Sequence, residues 1–482
     1  MFNLEKYKNK TALILESEKT VSYSALACIC KDIYSQIQKR CLVVILCENE
    51  LGALAAYVSC IQNRVVPILL DAKIDKNLLY NIIEAYKPDY VICKDGCHGD
   101  LGEATYSLGD DVGTYKVVKT KFTNAYKLHD NLALLLSTSG STGSPKFVRL
   151  SYKNLSSNTA SIIEYLKITQ KDVAITSLPM NYTYGLSVIN THLEAGASLV
   201  LTNSSLMQKE FWSLFDTCGV TSFSGIPYTY EMLNRLRFTR KEHPSLRQMT
   251  QAGGHLEEKL QKLFTEYCNE YLKEFVVMYG QTEATSRMAY LPAEMSLNKI
   301  GSIGIAIPNG QFCLQDDNGK VVLQPNAEGE LCYKGDNVSL GYANSGEDLS
   351  LGDENNGFLK TGDLAKFDDE GYFFITGRKK RFVKIFGNRV NLDECENLLK
   401  EKFNLTDLAC TGNDSKICIY LKDDSLKDQS TSFLANLTHL HPSAFTVKIV
   451  EDIPKNSSGK VLYQALENKA LQKHKLSTEY LM

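Results

Sequence analysis

With 482 residues, of which 44% are hydrophobic and 23% charged, the chain is long enough for two or more domains and too apolar for large-scale disorder. A formal net charge of -3 and a pI near 6.3 argue against nucleic-acid or membrane-surface partners, which reward a basic face. No run of roughly 18 uninterrupted apolar residues predicts a membrane span, and the N-terminal MFNLEKYKNKTALILESEKT lacks the apolar core of a secretory signal.

The first 120 residues alternate helix and strand signals. Helical periodicity over 20–40 follows a cap at Ser22. An apolar run of strand length covers 41–49, 51–64 reads as helix, 65–71 as strand, and 77–95 as helix then strand. Buried apolar strands alternating with helices predict largely parallel sheets covered on both faces. The same rhythm returns over 172–202 and around 271–280. Near 300 the texture changes, and 301–335 reads as short alternating strands broken by Asn-Gly and Glu-Gly turns, hence antiparallel sheet or barrel. The last hundred residues read as a small α+β domain: VKIFGNRVN, a helix from Asp393, strands near 407–411 and 416–422, and a terminal helix from 459. The basic junction GRKKR at 377–381 predicts a hinge and a division into 1–379 and 380–482.

Fourteen cysteines do not form a metal framework. Cys28 and Cys30 lie two apart, and Cys93, Cys97 and His98 form CKDGCH, yet no second pair has ligand spacing. Most of the others fall in apolar runs, where cysteine behaves as a small hydrophobe. Reduced thiols in a cytoplasmic protein are expected.

The segment LALLLSTSGSTGSPKFVRLS (132–151) sets Thr138, Ser139, Gly140, Ser141, Thr142, Gly143 and Lys146 between two strand signals. Glycines let backbone amides approach an anion, hydroxyls add donors and the lysine adds charge. A hairpin turn accounts for three or four such residues but poorly for ten. The loop is not a P-loop, because that motif needs Gly before the Lys, Ser or Thr after it and a helix to follow. Here Pro145 and Phe147 flank Lys146.

Four further segments stand in order behind this loop: QAGGHL (251–256), YGQTEAT (279–285), TGD within 358–381, and PKNSSGK ending at Lys460. Singly, each has a plain structural explanation: a capped helix start for Thr282 and Glu283, a Gly-Asp turn at Asp363, a solvated lysine at 460. Together with the loop, they resemble the acyl-adenylate-forming superfamily of acyl-CoA synthetases, aryl-acid ligases, nonribosomal peptide adenylation domains and luciferase, over nearly the whole chain. The implied fold is α/β, a large N-terminal domain of layered, mostly parallel sheets with an antiparallel barrel-like subdomain, and a small mobile C-terminal α+β domain.

The resemblance also implies roles. ATP and Mg²⁺ are the cofactors, with the 138–143 loop and Lys146 around the phosphates and Gly253 and Gly254 along the adenine. Tyr279 stacks on the base, Gly280 and Thr282 face the α-phosphate and Glu283 ligates the metal, a hard ion suited to carboxylate. Asp363 accepts the ribose hydroxyls with Arg378 behind it, and Lys460 stabilises charge as the bond to AMP forms. Lys380 is the hinge and Gly387 borders the pantetheine tunnel. Tyr182, Thr183 and Gly280 line the acyl pocket, with 224–233 a further candidate wall. Three departures stand out. Tyr463 occupies a place where relatives often carry Arg, and Asn181 and Tyr182 replace the Phe and His of the acyl-ligase stretch. No carboxylate follows the pocket strand before Glu194, which disfavours α-amino acids, since an unpaired ammonium in a dry pocket is costly. The expected partners are a carboxylic acid and either coenzyme A or an acyl carrier protein. A stand-alone amino-acid adenylation enzyme and a catalytically silent AMP-binding homologue are the alternatives.

Overall fold

The structure, a computed structural model, describes residues 1–96, 101–107, 115–137, 146–385, 388–413, 416–438, 440–455, 460–463 and 465–466. The chain forms two compact units, one of 1–312 with 333–359, the other of 313–332 with 360–482.

Two sheets organise the first unit. In the eight-stranded sheet, Leu42–Cys47 lies at the centre, parallel to Val66–Asp71 on one side and Tyr90–Lys94 on the other. Leu132–Ser137 continues the parallel core beside Val66–Asp71, and the outer strands are antiparallel. Side chains alternate along a strand, and here both alternating sets are buried. Val43, Ile45 and Cys47 enter one core with helices Tyr23–Ile37 and Leu51–Gln62, while Leu42, Val44 and Leu46 enter another with helix Lys76–Tyr86. That double burial is why the strand is apolar at every position. Ser22 caps the first helix by accepting from the Ala25 amide at 3.1 Å.

The nine-stranded sheet has a parallel core of Thr11–Ile14, Ser198–Val200, Val173–Ile175, Ser222–Gly225, Gln248–Gln251 and Glu274–Tyr279, with antiparallel strands at both edges. Helices Tyr152–Leu166 and Thr183–Ala195 lie between the two sheets, sharing one apolar cluster with both. The sheets are therefore mixed: a parallel interior finished by antiparallel edges.

In the second unit, strand pairs turn through the glycine and asparagine positions marked by the sequence. Asp316 Oδ1 accepts from the amides of Asn318 and Lys320 around Gly319, whose φ of +79° suits glycine. Helix Leu392–Phe403 packs with a three-stranded sheet of Ala409–Asn413, Lys416–Leu421 and Phe445–Ile449. Helix Lys427–Thr438 and the last of these strands are not signalled by periodicity, because exposed Lys, Asp and Gln dominate the one and half-buried residues the other. The expected terminal helix begins later than 459. Val461 bridges antiparallel to Lys455 and the Leu462 amide donates to Pro454 O at 2.8 Å, so Tyr463 is the first helical residue. Among the described residues no helix is long and apolar enough to cross a membrane, and no disulfide occurs.

Candidate active site

Leu132–Ser137 and Phe147–Ser151 pair antiparallel, with Ser137 opposite Phe147. The Gly-rich segment joins two strands rather than a strand and a helix, as the exclusion of a P-loop requires. Its residues Thr138, Ser139, Gly140, Ser141, Thr142 and Gly143 lie outside the described residues. Lys146 is described, and its Nζ sits 3.6 Å from the centroid of the Tyr342 ring.

That tyrosine links the loop to the YGQTEAT segment. Tyr342 donates its hydroxyl to Glu283 Oε1 at 2.7 Å. Burial, followed by the adjacent carboxylate, pushes the phenol well above its usual range, so it stays a donor. Lys146, Tyr342 and Glu283 thus stand in a row: cation, ring, carboxylate.

Strand Glu274–Tyr279 ends at half-buried Tyr279, and Gly280 follows. A Cβ there would lie 1.8 Å from Ser286 O, so only glycine permits this crossing of backbones. Thr282–Ala284 forms a 3-10 turn with no side-chain cap, followed by Thr285 at φ +57° and Ser286 at φ +107°. The capped helix that would explain Thr282 and Glu283 structurally is thus absent. Asn337 holds the turn, donating from Nδ2 to Ala284 O at 2.8 Å and to Arg287 O at 3.2 Å. The Ser339 amide donates to Glu283 O at 2.8 Å. Such strained residues need surrounding structure to over-determine them, and the segment 337–339 does so here.

Thr282 Oγ1 lies 2.8 Å from Thr183 Oγ1, at the start of helix Thr183–Ala195. One residue earlier, half-buried Tyr182 brings its hydroxyl to Gly253, where a Cβ would stand 2.5 Å away; the φ of +88° at Gly253 also calls for glycine. Gln251 Nε2 donates to Gly254 O at 2.9 Å, fixing the turn that follows strand Gln248–Gln251. Glu283 is a single hard oxygen donor, and no group of three or more His, Cys, Asp or Glu among the described residues can hold a metal by itself. One carboxylate plus substrate phosphates is the arrangement Mg²⁺ favours, so the residues fit that ion.

In the second unit, Asp363 and Arg378 face each other across an antiparallel pair, with Arg378 Nε 3.3 Å from Asp363 Oδ1. The Asp363 amide donates to Thr361 Oγ1 at 3.1 Å, across Gly362, whose φ of +73° within strand Phe358–Phe367 suits glycine. Lys380 lies in the 3-10 turn Lys379–Arg381, and Gly387 is outside the described residues. Lys460 is half-buried, just before the bridge at Val461. Three residues on stands Tyr463. Its hydroxyl donates to Glu396 Oε2 at 3.2 Å, and the Arg381 guanidinium covers its ring at 3.8 Å. Arg381 also binds Asp393 at 2.7 Å and Glu396 at 2.5 Å.

Sequence reasoning missed Tyr342, Asn337 and Arg287. Tyr342 sits on a three-residue strand, Asn337 in a loop and Arg287 beside a turn, and no spacing rule connects 342 or 337 to 283.

The model of the family described as AMP-binding enzyme matches residues 2–343. A long-chain-fatty-acid–CoA ligase of Escherichia coli is 28% identical over 363 residues, covering 71% of this chain and 62% of that ligase. The alignment thus spans under two thirds of that relative's length. A 2-succinylbenzoate–CoA ligase of Bacillus velezensis is 26% identical over 487 residues, covering 97% of this chain and 96% of that one. Among solved structures, o-succinylbenzoate CoA synthetase from Bacillus subtilis with its acyl-adenylate intermediate OSB-AMP superposes with a TM-score of 0.76 at 23% identity, covering 95% of each chain. The same enzyme with ATP and magnesium ion gives 0.75 at 23% identity, over 95% of this chain and 96% of that one. ATP-bound MatB from Rhodopseudomonas palustris gives 0.76 at 23% identity, over 96% of each chain. These likenesses establish the adenylate-forming fold.

Proposed function

This chain belongs to the AMP-binding enzyme family, and we propose that it is an AMP-forming acid–thiol ligase for a non-amino carboxylic acid. The acid carboxylate attacks the α-phosphate of ATP, forming acyl-AMP and releasing pyrophosphate. A thiol then attacks the acyl carbonyl and AMP leaves. Coenzyme A is the acceptor named for the relatives above; the phosphopantetheine of a carrier protein presents the same arm.

The observation that carries this reading is the row Lys146–Tyr342–Glu283 beside Thr282, built on a strained turn that Asn337 holds. Each group suits one need of the first step. Thr282 offers a hydroxyl donor to the α-phosphate, and Lys146 brings positive charge toward the departing phosphates. Glu283 would hold Mg²⁺, which when bound neutralises phosphate charge. Asp363, backed by Arg378, accepts from a diol, and Tyr279 offers an aromatic face to a base. Lys460 supplies the mobile positive charge. A division at 379/380 with rotation about Lys380 would exchange Lys460 for the Gly387 segment between the two steps. No carboxylate follows Thr183 in the sequence before Glu194, which favours acids without an ammonium group. A cytoplasmic location suits its thiols.

ATP–pyrophosphate exchange across a panel of carboxylic acids tests the reading. Exchange with amino acids alone would replace it by carrier-loading amino-acid adenylation, and binding of AMP without exchange by a silent homologue. Lys460→Ala should lower exchange by about a hundredfold or more, the scale of losing an electrostatic stabiliser. Conversion of preformed acyl-AMP to thioester should stay within about twofold. Equal loss in both half-reactions would contradict the assigned role.

A further inference from the structure

Among the described residues two arginines are fully buried, Arg149 and Arg287, at 0% and 2% exposure. They are treated very differently. Arg149 pairs with Glu354 and donates to the carbonyls of Tyr342, Leu351, Gly352 and Leu340 at 2.9, 2.5, 3.1 and 3.1 Å. Arg287 has no carboxylate within 4 Å among the described residues and donates to no backbone carbonyl. Its Nη2 donates to Ser187 Oγ at 3.0 Å, its Nη1 reaches Met278 Sδ at 3.2 Å and Tyr165 Oη at 3.5 Å, and its Nε has no partner. The Tyr184 ring lies 4.7 Å below the guanidinium. A thioether, two neutral hydroxyls and a ring face do not replace the hydration of a buried cation. A guanidinium cannot shed its charge to escape this, as a lysine can. Among the described residues no anion answers it.

Its position says which anion. Ser187 and Thr183 are four residues apart on helix Thr183–Ala195, hence on one face and about 6 Å apart along the axis. Thr183 touches Thr282 and Ser187 touches Arg287. Arg287 therefore lies about one helical turn along this helix from the hydroxyl assigned to the α-phosphate.

We infer that Arg287 is the specificity residue for a second carboxylate on the acid substrate, so that the enzyme activates a short dicarboxylic acid. The inference rests on the acid-ligase reading above and narrows its substrate class. One carboxylate meets ATP at Thr282; the other completes the charge of Arg287, bidentate on the guanidinium edge that carries the unpartnered Nε. A monocarboxylic acid of the same length would leave that cation uncompensated, and the wall would reject it.

The test compares C3–C6 dicarboxylic acids with monocarboxylic acids and monomethyl esters of equal length, in pyrophosphate exchange and by thermal shift, using wild type, Arg287→Met and Arg287→Lys. Wild type should favour a dicarboxylic acid by at least about a hundredfold in kcat/KM. Arg287→Met, close in length but uncharged, should abolish that preference chiefly through KM while exchange with the monocarboxylic acid holds or improves. Arg287→Lys should restore part of the preference. The unliganded Met variant should melt no lower than wild type, since an unpaired buried charge is removed. If Arg287→Met does not fold, Arg287→Lys carries the comparison. Wild-type preference for monocarboxylic acids, or uniform loss with every acid in the variants, overturns the inference while leaving the ligase reading intact. No exchange with any acid sinks the ligase reading. The thermal shift then decides for Arg287: a dicarboxylic acid raises the wild-type melting temperature but not that of the Met variant, or the inference falls.

Discussion

At Tyr342, a ring and a hydroxyl serve two neighbours at once. The ring face receives Lys146 and the hydroxyl donates to Glu283 at 2.7 Å. A donor on a metal-facing carboxylate orients it, and losing such a partner typically weakens metal affinity ten- to a hundredfold. Because Tyr342 is 37% exposed, the lower end applies. Tyr342→Phe should raise the Mg²⁺ concentration for half-maximal exchange about tenfold, with little change in KM for the acid. Tyr342→Leu, which also removes the ring beneath Lys146, should additionally raise KM for ATP. An unchanged Mg²⁺ dependence in Tyr342→Phe would detach this hydroxyl from the metal role proposed for Glu283. The roles proposed for Glu283 and Thr282 were read from YGQTEAT, where their spacing is local. Tyr342 was not, since it comes 59 residues later and meets Glu283 only through the fold.

Tyr463 is tied to Glu396 of helix Leu392–Phe403 and to Arg381 before it. Glu396 is 5% exposed, and burial raises its carboxyl pKa against the opposing pull of Arg381. The departure at 463 has a physical reason here. Arg381 already occupies the ring face, so Tyr463→Arg would set two guanidinium groups against each other, whereas tyrosine accepts one as a cation–π partner. Tyr463→Ala should destabilise the second unit by roughly 2 kcal/mol, from lost apolar burial. It should also slow adenylation about tenfold, through a less ordered Lys460, while sparing thioester formation from acyl-AMP. Tyr463→Phe, which keeps the stack, should retain most of both. Loss of stability with normal adenylation would confine Tyr463 to a structural role. Elsewhere at this scale the pattern was readable where a face is continuously buried, as in Leu42–Cys47 and Leu51–Gln62. It failed for Lys427–Thr438, whose helix turns only three buried residues inward.

Across the first unit, a polar layer runs between helix Thr183–Ala195 and the nine-stranded sheet, and it gives the molecule an acid sensitivity. His192 is 4% exposed; its Nδ1 donates to Val188 O at 2.9 Å and its Nε2 lies 3.1 Å from Ser222 Oγ, which can donate to it. Both nitrogens are satisfied in the neutral form, and burial lowers the pKa to about 4. The unfolded chain takes up the proton near pH 6.5 and the folded one does not until about pH 4. Stability is therefore full above pH 6.5 and falls as the pH drops toward 4, by roughly 2–3 kcal/mol from this group. Urea titrations of wild type and His192→Asn at pH 7 and pH 4.5 should show a smaller acid loss in the variant by about that amount; equal losses would place the proton elsewhere. The sequence by itself determined the α/β architecture, the strand-borne Gly-rich loop that is not a P-loop, and the order of the site segments. Those properties follow from local periodicity, glycine sterics and short-range spacing. Tertiary structure alone decided that Lys146, Tyr342 and Glu283 form a row, that Tyr463 rests under Arg381, and that Arg287 is buried with no counter-charge among the described residues. Each depends on side chains distant along the chain meeting in a space closed to water, where an unmatched charge becomes costly enough to matter.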